Sequence, residues 1–342
     1  RPEEAAPALD SLLLLHQDAL GAESTLSMAA LRAMNLLNLE LYAPAGAAGG
    51  DLVRALEGSL PFESCFGLVF IERVGKALSD VPAPRLERPD RTVTVPMRYD
   101  AVGRGHHYYI PVEVNGLERD FIFDTGCSFG CFVSERYAEE VGLTIVADSI
   151  PVSGMTVGFV KLAVADSLRV GEMVYHHPFF LVAPPDPEVD AEFAFDGVIG
   201  YDLLHAVGEV EVDNGAGVFR FPAQPSDGEP NMYLSGNIPR VRIEYGGEPF
   251  EMVFDTGNVK SNLDGAFALR FPDAVAGLER HATRHGGFGG IEEFEAVTLP
   301  EFRFLVAGCD VMLHDTEVVY DGADTATLLT VGSLGVRLRP VV

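Results

Sequence analysis

The sequence predicts a mostly β, two-lobed fold with an N-terminal α-helical extension. Three observations carry that prediction. Residues 1 to about 80 are rich in Ala, Leu and Glu at helical spacing, and the texture changes to alternating, β-type sequence after Pro89. The tripeptide Asp-Thr-Gly then occurs twice, as Asp124-Thr125-Gly126 and Asp255-Thr256-Gly257, each behind an apolar run. The two aspartates stand 131 residues apart, about one lobe, and the order of elements around them repeats.

In the helical part, Ser27 to Leu37 carries apolar residues on one face. Ala43 to Gly50 contains Pro44 and three glycines and reads as a breaker-rich loop. A second helix is expected from Asp51, and another through Phe70 to Leu78. Pro82, Pro84 and Pro89 mark a linker. The expected division is a helical accessory region over 1–90, a first lobe over 91–226 and a second over 227–342.

In the first lobe, Thr92 to Met97 alternates with period two, and Tyr108 to Val114 does so less strictly. Asn115-Gly116 is a hairpin signal, and Phe121-Ile122-Phe123 returns as the next strand. A strand running into Asp-Thr-Gly sets its aspartate on a tight loop where Gly126 lets the backbone turn. Ser134 to Gly142 reads as a short helix, and Gly154 and Gly158 fall in a hairpin. Gly197-Val198-Ile199-Gly200 leads into a helix at Tyr201 to His205, and Val210 to Gly215 closes the lobe. After Pro222, Pro225 and Pro230 the order repeats. Val241 to Gly247 is strand and turn, Phe250 to Phe254 is the strand into the motif, and Arg284 to Gly290 is a hairpin tip. Thr330-Val331-Gly332 stands where the first lobe has its apolar-apolar-Gly element.

Composition narrows the function. The 342 residues are 47% hydrophobic, ample for a core. A net charge of −27, from 51 acidic and 24 basic residues, would repel nucleic acid and anionic membranes. No apolar run is long enough to span a bilayer. The chain begins at Arg1, the pattern left when an upstream segment is removed or not included. An exported, periplasmic or extracellular location is expected ahead of a cytoplasmic one. Cys65, Cys127, Cys131 and Cys309 are too few for a disulfide framework, so free thiols are expected.

Two carboxylates brought together from two similar lobes can share one proton and activate a water molecule. A single Asp-Thr-Gly would be read as a turn. Two copies, each behind an apolar strand and each followed by an apolar-apolar-Gly element, favour a catalytic pair at Asp124 and Asp255. Other constellations are weaker. His281 and His285 are four apart, with Cys309 and His314 further on, but nothing makes them converge, so no metal is expected. His106-His107 and His176-His177 are adjacent pairs in strand-like sequence and point to opposite faces, as surface or core residues. Gly286 to Gly290 lacks the lysine and helix of a phosphate-binding loop.

The segments Tyr109 to Gly116, Phe121 to Ser128 and Asp196 to Gly200, with their counterparts in the second half, resemble the pepsin and retropepsin superfamily of aspartic peptidases, and within it the bacterial retropepsin-like branch. The resemblance covers roughly residues 92 to 342. It implies a bilobal β fold with the active site in an interlobe cleft, a peptide or protein substrate there, endopeptidase activity, and no metal or organic cofactor. Asp124 and Asp255 match the catalytic aspartates. Thr125 and Thr256 match the threonines that cross-brace the loops, and Gly126 and Gly257 the turn glycines. Val198, Ile199 and Gly200, and Val331 and Gly332 with Thr330, match the supporting elements. Cys127 and Asn258 depart from the Ser or Thr usual in pepsin-like members, and retropepsins often carry Ala there. A monomer is expected. The alternative is a non-catalytic peptide- or protein-binding module on the same fold.

Overall fold

The computed structural model describes residues 2–102, 105–193, 195–227, 232–320, 327–328 and 336–338. Four helices open it: α1 (Pro2–Leu15), α2 (Gln17–Asn38), α3 (Tyr42–Leu56) and α4 (Phe62–Leu78). The expected loop at Ala43 to Gly50 is instead part of α3, which starts at Tyr42 rather than Asp51. Its glycines serve contact, not turning. A Cβ on Gly46 would stand 2.8 Å from the Lys76 nitrogen, and one on Gly75 would stand 2.4 Å from the Gly46 nitrogen. Helices α3 and α4 therefore touch backbone to backbone. Each helical glycine costs about 1 kcal/mol relative to alanine, which this approach and the burial of Tyr42, Ala45, Val74 and Leu78 offset.

The chain continues through β1 (Arg85–Glu87), β2 (Val93–Pro96), β3 (Arg98–Val102), β4 (Gly105–Val114), β5 (Leu117–Phe123) and β6 (Cys131–Ser134) to α5 (Glu135–Glu140). Strands β7 (Thr144–Ser153), β8 (Val157–Val164), β9 (Ser167–Val170), β10 (Met173–His176) and β11 (Phe179–Ala183) follow, then α6 (Pro187–Phe193), β12 (Gly197–Ile199) and α7 (Tyr201–Val207). Next come β13 (Val210–Asp213), β14 (Val218–Phe221), β15 (Met232–Ser235), β16 (Ile238–Tyr245), β17 (Glu248–Phe254) and β18 (Asn262–Asp264). The described chain ends with α8 (Gly265–Arg270), α9 (Pro272–Val275), β19 (Arg280–Gly287), β20 (Gly290–Val306), β21 (Cys309–Tyr320), β22 (Thr327–Leu328) and β23 (Val336–Leu338).

These strands form three sheets among the described residues. One has eleven strands, β1 and β3 to β12, and another has eight, β15 to β22. The third, in the order β2-β14-β13-β23, draws its last strand from the far end of the chain. The proline-marked segment after α4 is not a free linker. Strand β1 pairs with β10, and the Arg88 guanidinium donates to the carbonyls of Val207 and Phe221.

The internal repeat is explicit in the pairing. Hairpin β4–β5 corresponds to β16–β17, and each runs into an Asp-Thr-Gly loop. Strand β6 then pairs in parallel with β11, as β18 does with β21. The short helices α5 and α8 follow, capped by Ser134 accepting from the Tyr137 N–H and by Asp264 accepting from the Phe267 N–H. Strand β12 lies parallel to β5, and β22 parallel to β17.

Two apolar clusters hold these parts. One runs through both halves and includes Phe121, Phe123, Phe219, Phe254, Phe267 and Phe302. The other joins Leu36, Leu37, Phe70, Ile71 and Val74 of the helices to Ile150, Val152, Val160 and Leu162 of hairpin β7–β8. The helical region is thus seated on that hairpin.

Candidate active site

Each Asp-Thr-Gly loop arises where an apolar strand ends. The strand is pinned from the side: Asp124 N–H donates to the Ile199 carbonyl at 3.0 Å, and Tyr201 N–H donates to the Cys127 carbonyl at 2.9 Å. Gly200 must be glycine, since a Cβ there would stand 2.2 Å from the Gly130 oxygen and 2.5 Å from Cys127 Sγ. Val198 and Ile199 sit opposite Ile122 and Phe123 in the ladder. In the second half Thr327 and Leu328 hold the same register against Val253 and Phe254. Thr330, Val331 and Gly332 lie outside the described residues.

The loops fold identically around their aspartates. Asp124 Oδ1 accepts from the N–H groups of Gly126 (2.7 Å) and Cys127 (3.1 Å). Asp255 Oδ1 accepts from those of Gly257 (2.8 Å) and Asn258 (3.2 Å). Neither residue after the glycine offers its side chain to an aspartate. Cys127 Sγ lies near the carbonyls of Phe129 and Gly130, and Asn258 Nδ2 donates to Asn262 Oδ1.

The threonines tie the loops together. Thr125 Oγ1 donates to the Phe254 carbonyl at 2.6 Å and accepts from Thr256 N–H at 3.0 Å. Thr256 Oγ1 donates to the Phe123 carbonyl at 2.6 Å and accepts from Thr125 N–H at 3.1 Å. Both threonines are buried. The glycines let each carboxyl settle on the opposite loop. A Cβ on Gly126 would stand 2.6 Å from Asp255 Cγ, and one on Gly257 would stand 2.3 Å from Asp124 Cγ.

The two carboxyls are hydrogen-bonded to each other. Desolvation, then the charge of Asp255, holds the Asp124 carboxyl well above the usual carboxylate range. Asp255 is also raised, by desolvation, against the downward pull of the Gly257 N–H, the Asp124 hydrogen bond and the Asn258 N–H. An arrangement of this kind keeps one proton on the pair and leaves the other carboxyl free to ionise.

The family model described as aspartyl protease matches residues 110–203. The matched stretch holds the first Asp-Thr-Gly loop and the Val198-Ile199-Gly200 element beside it. Among solved structures the chain is similar to a retropepsin-like aspartic protease from Rickettsia conorii, at 14% identity over 41% of this chain and 94% of that one, with a TM-score of 0.27. It is similar to the aspartic proteinase from Irpex lacteus at 16% identity over 66% and 79%, with a TM-score of 0.41. Basic 7S globulin from soybean is similar at 11% identity over 74% and 93%, with a TM-score of 0.44. No curated protein matches the chain.

Three features of this site lie beyond the sequence reading. The tips of hairpins β7–β8 and β19–β20 meet. Met155 N–H donates to the Phe288 carbonyl at 2.8 Å, and the Phe288 ring covers Gly158, where a Cβ would stand 2.8 Å from it. His281 and His285 do converge, each 3.8 Å from a Glu317 oxygen. Thr283 donates to Glu317 as well, and the nearby His285, with the Thr283 hydrogen bond, pulls its carboxyl down to about 2. His107 is buried and reaches the Gly257 carbonyl, across a sequence separation with no local signal. All four cysteines are free. Among the described residues no helix is long and apolar enough to cross a membrane.

Proposed function

We propose that this protein is an aspartic endopeptidase in which Asp124 and Asp255 activate a water molecule against a peptide bond. The observation that supports it most is the meeting of the two carboxyls, each against the opposite loop's glycine, on matching loops cross-braced by Thr125 and Thr256. The ionised member takes a proton from water as the water oxygen bonds to the scissile carbon. The protonated member donates to the carbonyl oxygen and stabilises the charge gathering there. The tetrahedral intermediate then loses its amine, which leaves with a proton from the pair, and the carbon–nitrogen bond breaks. No covalent enzyme intermediate forms. The pair's two apparent pKa values belong to both carboxyls jointly.

In this reading residues 91–226 and 227–342 are two lobes with the substrate extended in the cleft between them, paired by main-chain hydrogen bonds to the glycine-bearing hairpins. Residues 1–90 are an accessory region rather than a removable propeptide, consistent with the core they share with β7–β8. One chain supplies both aspartates, so a monomer suffices, and an exported location fits the acidic composition.

Asp124→Asn and Asp255→Asn test the reading against a peptide library between about pH 3 and 8. Each variant should lose at least ~1,000-fold in kcat/KM while keeping the parent's circular dichroism. Parent-like cleavage by either variant removes the assignment. Binding without turnover by the parent across the whole range replaces it with a peptide-binding module.

A further inference from the structure

Strand β4 carries His106 and His107 on opposite faces. His106 is exposed and stacks on Tyr99. His107 is only 5% exposed, and its Nε2 lies 2.8 Å from the Gly257 carbonyl oxygen. A carbonyl only accepts, so Nε2 carries the hydrogen and Nδ1 is the nitrogen that titrates. One residue earlier, the His106 backbone N–H donates to the Val259 carbonyl at 3.0 Å. A strand of the eleven-stranded sheet is therefore stitched twice to the second Asp-Thr-Gly loop.

The peptide that His107 grips is shared by both carboxyls. The N–H of that same peptide, Asn258 N–H, donates to Asp255 Oδ1 at 3.2 Å, and the adjoining Gly257 Cα is the surface against which the Asp124 carboxyl rests. A histidine that merely fills the core needs some acceptor. This one ends on the peptide that sets the position of the pair.

We propose that His107 is a positioning residue for the carboxyl pair, which when neutral fixes the Gly257 peptide and when protonated sets a cation beside Asp255, keeping the pair ionisable at lower pH. The catalytic part of this inference rests on the peptidase reading above. The groups around His107 are specific. Asp255 reaches it from the second loop. From β3, Asp100 stands opposite it in the ladder, and Asp100 is ion-paired with Arg98. Arg98 also pairs with Asp120 and lies over the Tyr109 ring, which meets His107 edge-on. Burial lowers the His107 pKa, against the Gly257 hydrogen bond and the Asp255 charge. The imidazole is thus neutral at neutral pH and gains its charge in acid, where that charge bears on Asp255.

Two variants of the full chain separate the roles. His107→Gln keeps an N–H for the Gly257 carbonyl and removes the titration, whereas His107→Leu removes both. The Asp255 carboxyl is followed by its carbon-13 shift against pH, a readout that needs no turnover. In His107→Gln its apparent pKa should rise by roughly half to one unit, because the neighbouring cation is gone. The acid limb of kcat/KM should move up equally, with plateau kcat within about threefold. In His107→Leu plateau kcat should fall ~10-fold or more with KM little changed. Identical Asp255 titration in parent and His107→Gln overturns the proposal, as does undiminished kcat in a folded His107→Leu. A moved titration in a parent without turnover would sink the peptidase reading alone.

Discussion

Thr256→Val isolates the cross-brace between the two loops. Valine has the shape of threonine without its hydroxyl, so no cavity confuses the result. Thr256 is 1% exposed, and its Oγ1 serves two groups, the N–H of Thr125 and the carbonyl of Phe123. Both would be left buried and unpaired. A stranded buried donor or acceptor costs about 1–3 kcal/mol. A carbonyl, with a second lone pair, tolerates this better than an N–H, so the loss should be about 2–4 kcal/mol. That is a large share of the ~5–15 kcal/mol that separates a typical folded domain from its unfolded chain. Denaturant unfolding of parent, Thr256→Val, Thr125→Val and the double variant measures it. The two hydroxyls brace one contact, so the double variant should cost clearly less than the two singles added. A single-variant loss below about 0.5 kcal/mol, or strict additivity, would refute the view that these hydrogen bonds are closed and mutually dependent.

Three further outcomes are expected. Gly75→Ala should destabilise the chain by about 1–3 kcal/mol in denaturant unfolding, although alanine is the better helix former, because its Cβ would meet the α3 backbone. Asp202 opens α7, with Oδ2 buried and unpartnered among the described residues, and burial pushes its pKa up to about 7. A carboxyl raised in the folded state favours the fold while protonated, and that contribution is lost as pH rises from the ordinary carboxylate range through about 7. Relative to the parent, Asp202→Asn should therefore gain about 2–4 kcal/mol in unfolding free energy between about pH 4 and 8. Phe288→Ala should speed amide exchange at Met155 by ~10-fold as the hairpin tips lose their ring contact, and unchanged exchange would mean the tips are held elsewhere.

What the sequence makes legible is local or repeated. Asn115-Gly116 forms its hairpin with both residues at positive φ, 49° and 89°, the conformation that this dipeptide favours. Ser134 caps α5 where the helix was expected. The two aspartates were readable because the chain states the same motif twice. What was not legible depends on partners far away. The glycines of α3 look like breakers until α4 is laid against them, and only then does a missing Cβ become contact. His107 finds its acceptor 150 residues on. Strand β23 finds its place in a sheet begun at Val93, for which no local pattern exists.

The reciprocal exchange between Thr125 and Thr256 is the contact that a rotation axis produces between two copies of one surface. Carrying both copies on a single polypeptide fixes their ratio at one to one and makes their encounter independent of concentration. It also frees each copy to drift alone. Cys127 stands opposite Asn258, and the helices share their core with hairpin β7–β8 of the first half, so the axis survives at the threonines while the surroundings have become asymmetric. A ligand built with perfect twofold symmetry would therefore meet two unlike sides on this molecule.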